Sequence, residues 1–580
     1  MNNIFRNISL MVAAGALAVS CADYNETNNF TAEPDPTVVQ PYGELAPVKS
    51  YINSVKYPNM SLGATLDVSE YNKQQLAHCA IQTNFNNVAF GKSLMAGKII
   101  NDKGTMNFLD MIDLLDHVEE IGGEVYGSPL VANANQADGW FKMLTAPIEI
   151  SVDVIKDTEV DYTTMETFTG TNLGQTTPVI VKNYESSGQN ALKLPKETVI
   201  PKPKYTKVYI AEGFEPDVLG KYTITFNAKA DSKDVSFNVT FSDSLIMEKN
   251  EEGADAKKFS LKAGKWTKVV VETMTAANPQ AGYVMISGNR NSDIYVRNVT
   301  VTHEPDNHRP QTDQEVNDTI HYALNAWCDG FMKINKGRIK SFDLIDEAIG
   351  TKTLEGTDYF DLKHAADDKS TADKIFWQDV FGSENYAPIV SKVASEAYEK
   401  YEGNPADLKF FISESGLEDS KKMESLKYWM GIWDGKGAKI DGINAKLNLS
   451  YSEDAATQKA NEDALDALLD NLAATGKLIR LSNLDIVYKD ATGSKVTVTA
   501  ITDEQRQQLA DYYAHVIKRY MAKIAPDKQA GICKSNLVDT STDPVGLWTS
   551  KVLNPAAVQK KTDWVRNANY KAFCDALSGE

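Results

Sequence analysis

Ile339–Gly350 reads IKSFDLIDEAIG. The stretch predicts a buried β-strand, apolar at Phe342, Leu344 and Ile345, that runs into two adjacent carboxylates, Asp346 and Glu347. An acid at the C-terminal end of a strand sits where barrel and open α/β folds place their chemistry, because that end opens into a pocket. Neighbours on a strand point to opposite faces, so Asp346 is expected to face away from Glu347.

Working outward, strands and helices alternate on both sides of this segment. Upstream, LGATLDV predicts a strand, Tyr71–Ala80 a helix, FNNVAF a strand, Phe108–Ile121 a helix and GEVYGSPLV a strand. Downstream of the helix Gln314–Lys333 and the central strand come a long helix Ala372–Tyr401, the strand LKFFIS and the helix Asp419–Trp433. IDGINAKLNLS, the helix Asp454–Thr475, LIRLSNLDIVY, the helix Asp503–Ile524, AGICKSNL and a final helix near Asp563–Leu577 complete the series. That makes about eight βα units, the number that closes a (β/α)8 TIM barrel. Trp429 and Trp433, four apart on a helix, suit core or groove packing.

Between the two halves the rhythm changes. YTITFNAKA, VSFNVTFS, WTKVVVE, YVMISG and IYVRNVTV alternate polar and apolar residues and are separated by polar turns, as in an all-β sandwich. The expected organisation is a first barrel part at 46–147 (three strands), an inserted sandwich at 148–305 and a second barrel part at 306–580 (five strands).

The 580 residues carry 42% hydrophobic and 24% charged side chains, as a globular protein does, and a formal net charge of −19. That charge argues against nucleic-acid partners and is silent about neutral polysaccharides. Residues 1–20 are similar to a bacterial lipoprotein signal, with Cys21 as the lipidated first residue and 21–45 as a tether; an ordinary signal peptide is the competing reading. The first implies attachment to the cell outer membrane by a lipid anchor only, exposed at the surface, since no later apolar run is long enough to span a bilayer. Cys79, Cys328, Cys533 and Cys574 lack CxxC spacing and read as buried thiols. The seven histidines show no HxxxH and no phosphate-binding glycine loop occurs, so neither a metal nor a cofactor is expected.

KGRIKSFDLIDEAI, ADLKFFIS, KIDGINAKLNLS and NLDIVY resemble, in order, segments of glycoside hydrolase family ten, the xylanases. The resemblance puts Glu347 at the position of the proton donor. It aligns Ser482-Asn483-Leu484-Asp485 with the family's T-E-L-D, so Asn483 stands where the nucleophile should be. Retaining glycosidases need two carboxylates about 5–5.5 Å apart, and a neutral amide supplies neither the charge nor the leaving ester. The sugar-holding positions differ too. The H-G-H-T-L-V-W-H strand corresponds to Tyr126–Asn133, N-E-M-K to Ser93–Ala96, N-D-Y-N to Ser413–Gly416, the sixth-strand Gln and His to Lys446 and Asn448, and the eighth-strand Trp to Ser535.

Three readings of the mouth stay open. Glu347 pairs with Glu414 or Asp485 for an inverting hydrolysis, which needs roughly 6.5–9.5 Å between carboxyls; or it is a remnant under a filled cleft; or it binds a glycan uncut together with Asn133, Gln136, Glu414, Lys446 and Asp485. GKYTITFNAKAD, GKWTKVVVE and DIYVRNVTV look like a jelly-roll carbohydrate-binding module. In it Trp266 and Tyr283 would stack on sugar rings, although aromatic residues in a sandwich are more often core. The expected partner is xylan or a related plant cell-wall β-glycan, bound without cleavage. An active endo-1,4-β-xylanase with altered residues is the alternative, and a scaffold docking onto an outer-membrane glycan-uptake complex is the third reading.

Overall fold

The computed structural model describes residues 42–120, 122–196, 206–217, 220–242, 244–246, 248–249, 255–256, 259–274, 281–288, 291–305, 307–368, 374–551 and 563–579. The leader, Cys21 and most of the tether lie outside them. The chain divides into two compact units, residues 1–146 with 312–580, and residues 147–311.

The first unit is built on eight parallel strands: β1 (Leu62–Thr65), β2 (Asn87–Ala89), β3 (Glu124–Gly127), β4 (Ser341–Asp346), β5 (Lys409–Ser415), β6 (Gly442–Lys446), β7 (Leu478–Ser482) and β8 (Gln529–Lys534). Each pairs with the next, and β8 pairs back onto β1 through Leu62↔Ile532 and Cys533↔Gly63, so the sheet closes into a (β/α)8 barrel. The strand order follows the chain, as short right-handed crossovers require.

The helices bury apolar stripes against this sheet. Asp313–Asn335 starts at a capping box between Thr312 and Glu315 and buries Ile320, Leu324, Trp327, Phe331 and Met332 at three- and four-residue spacing. Asp503–Lys523 repeats the device with Thr502 and Gln505. Trp429 and Trp433 are both buried, their rings stacked at 6.2 Å.

Phe342 of β4 packs against Phe331 of the Asp313–Asn335 helix and against Phe410. Asp343, the next residue, instead meets residues of other strands: Tyr126 donates its hydroxyl at 2.6 Å, and Asn444 its amide at 3.0 and 3.1 Å. Burial is the largest influence on Asp343 and pushes its carboxyl up to about 7. The barrel interior is therefore partly polar, and the apolar sequence signal of β4 belongs largely to its helix-facing side.

Several predicted elements are broken where the backbone turns. The predicted helix Ala372–Tyr401 is two, Trp377–Phe381 and Tyr386–Lys400, separated at Gly382, which takes φ +79°. Tyr71–Ala80 likewise falls across two helices, Val68–Tyr71 and Leu76–Asn84. LIRLSNLDIVY contains β7 and a second strand, Ile486–Lys489, and IDGINAKLNLS contains β6 and Leu449–Ser452; the two outer pieces pair with each other. Asp563–Arg566, predicted as helix, is a strand preceding the helix Ala568–Ser578.

The second unit holds two larger antiparallel sheets and, among the described residues, small two-stranded ones. One orders Thr267–Met274, Lys221–Ala230, Ile294–Glu304, Ala191–Leu194 and Val179–Val181; the other orders Ser244–Ile246, Val235–Phe241, Gly282–Gly288 and Thr206–Phe214. Alternate residues such as Ile224, Phe226, Val239, Ile286 and Val299 are fully or almost fully buried in the core of this unit. Among the described residues no helix is long and apolar enough to cross a membrane.

β3 and β4 approach closely at Gly127, where a Cβ would lie 2.1 Å from the buried Phe342 ring. Gly127→Ala is expected to destabilise the barrel by about 1–3 kcal/mol, read as a lower denaturant midpoint at unchanged m-value.

Candidate functional site

β4 carries its carboxylates to the C-terminal mouth of the barrel, and the strand ends there. The Glu347 amide donates to the Ser413 carbonyl of β5 at 2.9 Å, and Glu347 adopts φ +54°. A left-handed turn at a non-glycine residue costs about 1–2 kcal/mol. It also breaks the alternation that would have sent Asp346 and Glu347 to opposite faces. Both meet the Lys446 ammonium of β6, at 2.5 Å from Asp346 and 2.8 Å from Glu347. The expected opposition of the two acids is thus overturned by one backbone dihedral.

Two more lysines complete the cluster. Lys422, in the first turn of the helix Ser420–Gly435, lies 2.7 Å from Glu414 and 3.9 Å from Glu347, and Lys363 stands 3.7 Å from Glu347. Glu414 is fully buried and also accepts the Ile349 amide at 3.1 Å. Burial opposes charge on both glutamates. On Glu347 the Lys446 ammonium and hydrogen bonds from Glu414, Lys446 and Ser415 outweigh it and hold the carboxyl at about 2. On Glu414, burial and the neighbouring Glu347 charge push the carboxyl up to about 8. The two share a hydrogen bond, and its proton rests on Glu414. Lys446, although burial works against its charge, is raised by Asp346 and Glu347 and stays an ammonium.

Asn483 follows β7 in another left-handed turn, φ +56°. Its amide donates to the Leu447 carbonyl at 3.0 Å and accepts from Ser535 at 3.0 Å. Asp485 turns to the β8 side, bonding the buried Lys534 amine, whose pKa burial lowers, and the Asn536 side chain. Gln136 closes on the backbone of Ile375, donating at 2.6 Å and accepting at 3.3 Å. Asn133 differs. It follows Ala132, the register partner of Asp346, it is buried, and neither amide atom has a partner among the described residues; the Ser128 hydroxyl is in the same state.

In the sandwich unit, Trp266 donates its indole N–H to Glu185 at 3.1 Å, and the Arg297 guanidinium covers the ring at 4.3 Å. Tyr283 stacks on Tyr209, centroids 4.2 Å apart and planes within 2°. Both rings already have protein contacts. Among the described residues no three His, Cys, Asp or Glu side chains are placed to hold a metal ion. Cys328, Cys533 and Cys574 are buried and Cys79 is half-buried, and none of the four is in a disulfide among the described residues.

Sequence reasoning missed Lys422 and Lys363. Each comes from a segment after its strand, where a lysine is an ordinary surface residue and nothing in the spacing marks it.

A closed parallel barrel with linked acids at the end of its fourth strand defines the class: a (β/α)8 barrel with an acid cluster at its C-terminal mouth. Within that class, residues 300–571 match the model of glycosyl hydrolase family 10, a segment that carries β4 to β8 with Glu347 and Asn483. Solved structures similar to the chain include xylanase B from Clostridium stercorarium F9, at 11% identity, TM-score 0.49, 92% of this chain and 100% of that one. They also include a GH10 endoxylanase retrieved from a sugarcane soil metagenome, at 10% identity, TM-score 0.48, 92% of this chain and 100% of that one. No curated protein matches the chain.

The depressed Glu347 has a definite pH consequence. A carboxyl lowered from 4.5 to about 2 adds stability above its unfolded value that is lost as pH falls through about 2. In Lys446→Ala the Glu347 carbon resonance should titrate well above pH 2, and stability at neutral pH should drop by about 2 kcal/mol. An unchanged Glu347 titration would remove Lys446 as the cause.

Proposed function

We propose that the protein captures xylan or a related plant β-glycan without cutting it. The observation that carries this reading is Lys446, whose ammonium is bonded to the Glu347 carboxylate. A retaining mechanism needs a protonated acid and an ionised nucleophile facing one glycosidic bond. Glu347, held at about 2, is ionised at neutral pH and has no proton to give. Asn483 has no negative charge and spends its amide on Leu447 and Ser535. Glu414 keeps a proton but is fully buried, and its hydrogen bond to Glu347 leaves no room for the water of an inverting mechanism.

What supports binding is polar equipment near the mouth. Asn133 and Ser128, buried beside the strand end, have hydrogen-bonding atoms without a partner among the described residues, and amides and hydroxyls are the groups that read sugar hydroxyls. The glycan class comes from the family 10 segment. The leader and Cys21 extend the proposal to a lipid-anchored protein at the outer face of the outer membrane, beside a glycan-uptake complex.

A second reading has its own observation. Glu347 and Glu414 are pushed to about 2 and about 8, and a split pair of carboxyls is the arrangement that acid–base catalysis uses. On that reading the protein is an endo-1,4-β-xylanase with altered residues.

Electrophoresis in a native gel containing xylan, with a parallel assay of reducing ends, separates the two. Capture predicts retardation, no new reducing ends, and the same retardation in Glu347→Ala. Release of reducing ends that disappears in Glu347→Ala would establish the enzyme instead. Asn483→Glu is expected to leave cleavage undetectable, because Lys446 still neutralises the partner acid.

A further inference from the structure

The opposite end of the barrel carries a feature that the glycan reading does not use. A cavity of about 750 Å³ opens among the strand starts, lined by residues such as Asn87, Glu124, Ser341, Lys409, Leu478 and Ala530. Arg480 of β7 lines it too and is 1% exposed. Its guanidinium lies 3.9 Å over the Tyr126 ring and donates to Asn87 at 3.2 Å and to Ser61 at 3.3 Å. Every one of these partners is neutral. Nε has no partner, and no carboxylate lies within ion-pair distance of Arg480 among the described residues.

The rest of the lining is balanced. Arg338, Lys340 and Lys409 face Glu119, Glu124 and Asp407. Arg338 lies 3.9 Å from Glu119, and Lys340 lies 3.8 Å from Asp407. The uncompensated charge of the cavity is therefore that of Arg480, in a chain whose formal net charge is −19. A buried lysine can shed its proton, but an arginine cannot, so the charge has to be met where it stands. Tyr126 does not meet it with a phenolate: burial, the largest influence on its hydroxyl, and the Asp343 charge keep it protonated.

We propose that the N-terminal cavity is a binding site for a small oxyanion, held by the Arg480 guanidinium. The planar fork of a guanidinium matches a phosphate or a carboxylate, each offering two oxygens to parallel N–H groups. With the other lining charges balanced, the guanidinium is the group that draws an anion into the cavity. The site is independent of any glycan at the C-terminal mouth, so failure of one reading leaves the other standing.

The test uses the full chain at constant ionic strength, with chloride replaced stepwise by inorganic phosphate or, separately, by acetate. The readouts are the Arg480 Nε–H resonance and the melting temperature. A saturable change is expected with at least one oxyanion; phosphate alone identifies a phosphate site, and acetate with it a general carboxylate and phosphate site. In Arg480→Met, an apolar replacement of similar length, affinity should fall at least about tenfold. Lys392→Ala, on an exposed helix face, should bind as the unaltered chain does. A response no steeper than that to chloride, or equal affinity in Arg480→Met, overturns the site. Should Arg480→Met fail to fold, the Arg480 resonance of the unaltered chain decides alone: an unmoved signal under either oxyanion rejects the proposal.

Discussion

The Lys446 ammonium, shared between Asp346 and Glu347, is the contact around which the barrel mouth is arranged. Two carboxylates adjacent in sequence converge on one cation because Glu347 leaves the strand in a left-handed turn. The convergence brings two negative charges together, and their repulsion would be costly without the ammonium. Lys422 lies against Glu414, where burial and a neighbouring charge leave the proton bound. The mouth is thus a lattice of three acids and three amines.

The barrel interior extends this pattern inward. Asp343 receives hydrogen bonds from Tyr126 and Asn444, and Tyr126 stacks under Arg480. The outward side of β4 is apolar and packs on helices, so stability comes from the sheet–helix layer. The core polar groups add specificity of position rather than much burial energy. This division of labour lets the residues facing the axis vary while the barrel persists.

Two of the breaks in the predicted elements lie at this mouth. β6 and β7 each run on past a kink into a short outer strand, and these outer strands pair with each other. Asn483 occupies the kink after β7, and its two hydrogen bonds hold the loops from β6 and β8. An amide can donate and accept at once; a carboxylate there would accept only. Asn483 thus ties three strand ends together.

The eightfold alternation of strand and helix, and the absence of a carboxylate at position 483, are properties of the chain order and of one side chain. Both are legible in the sequence because neither depends on a distant partner. The shared Lys446 contact was not legible, because alternation predicts opposite faces for neighbours and nothing in D-E announces a positive φ at a glutamate. Nor were Lys422 and Lys363, or the lone buried charge of Arg480, since each acquires its environment from segments remote in the chain. Periodicity and residue type carry local information; proximity of charges, and the pKa values that follow from it, exist only once the barrel has closed.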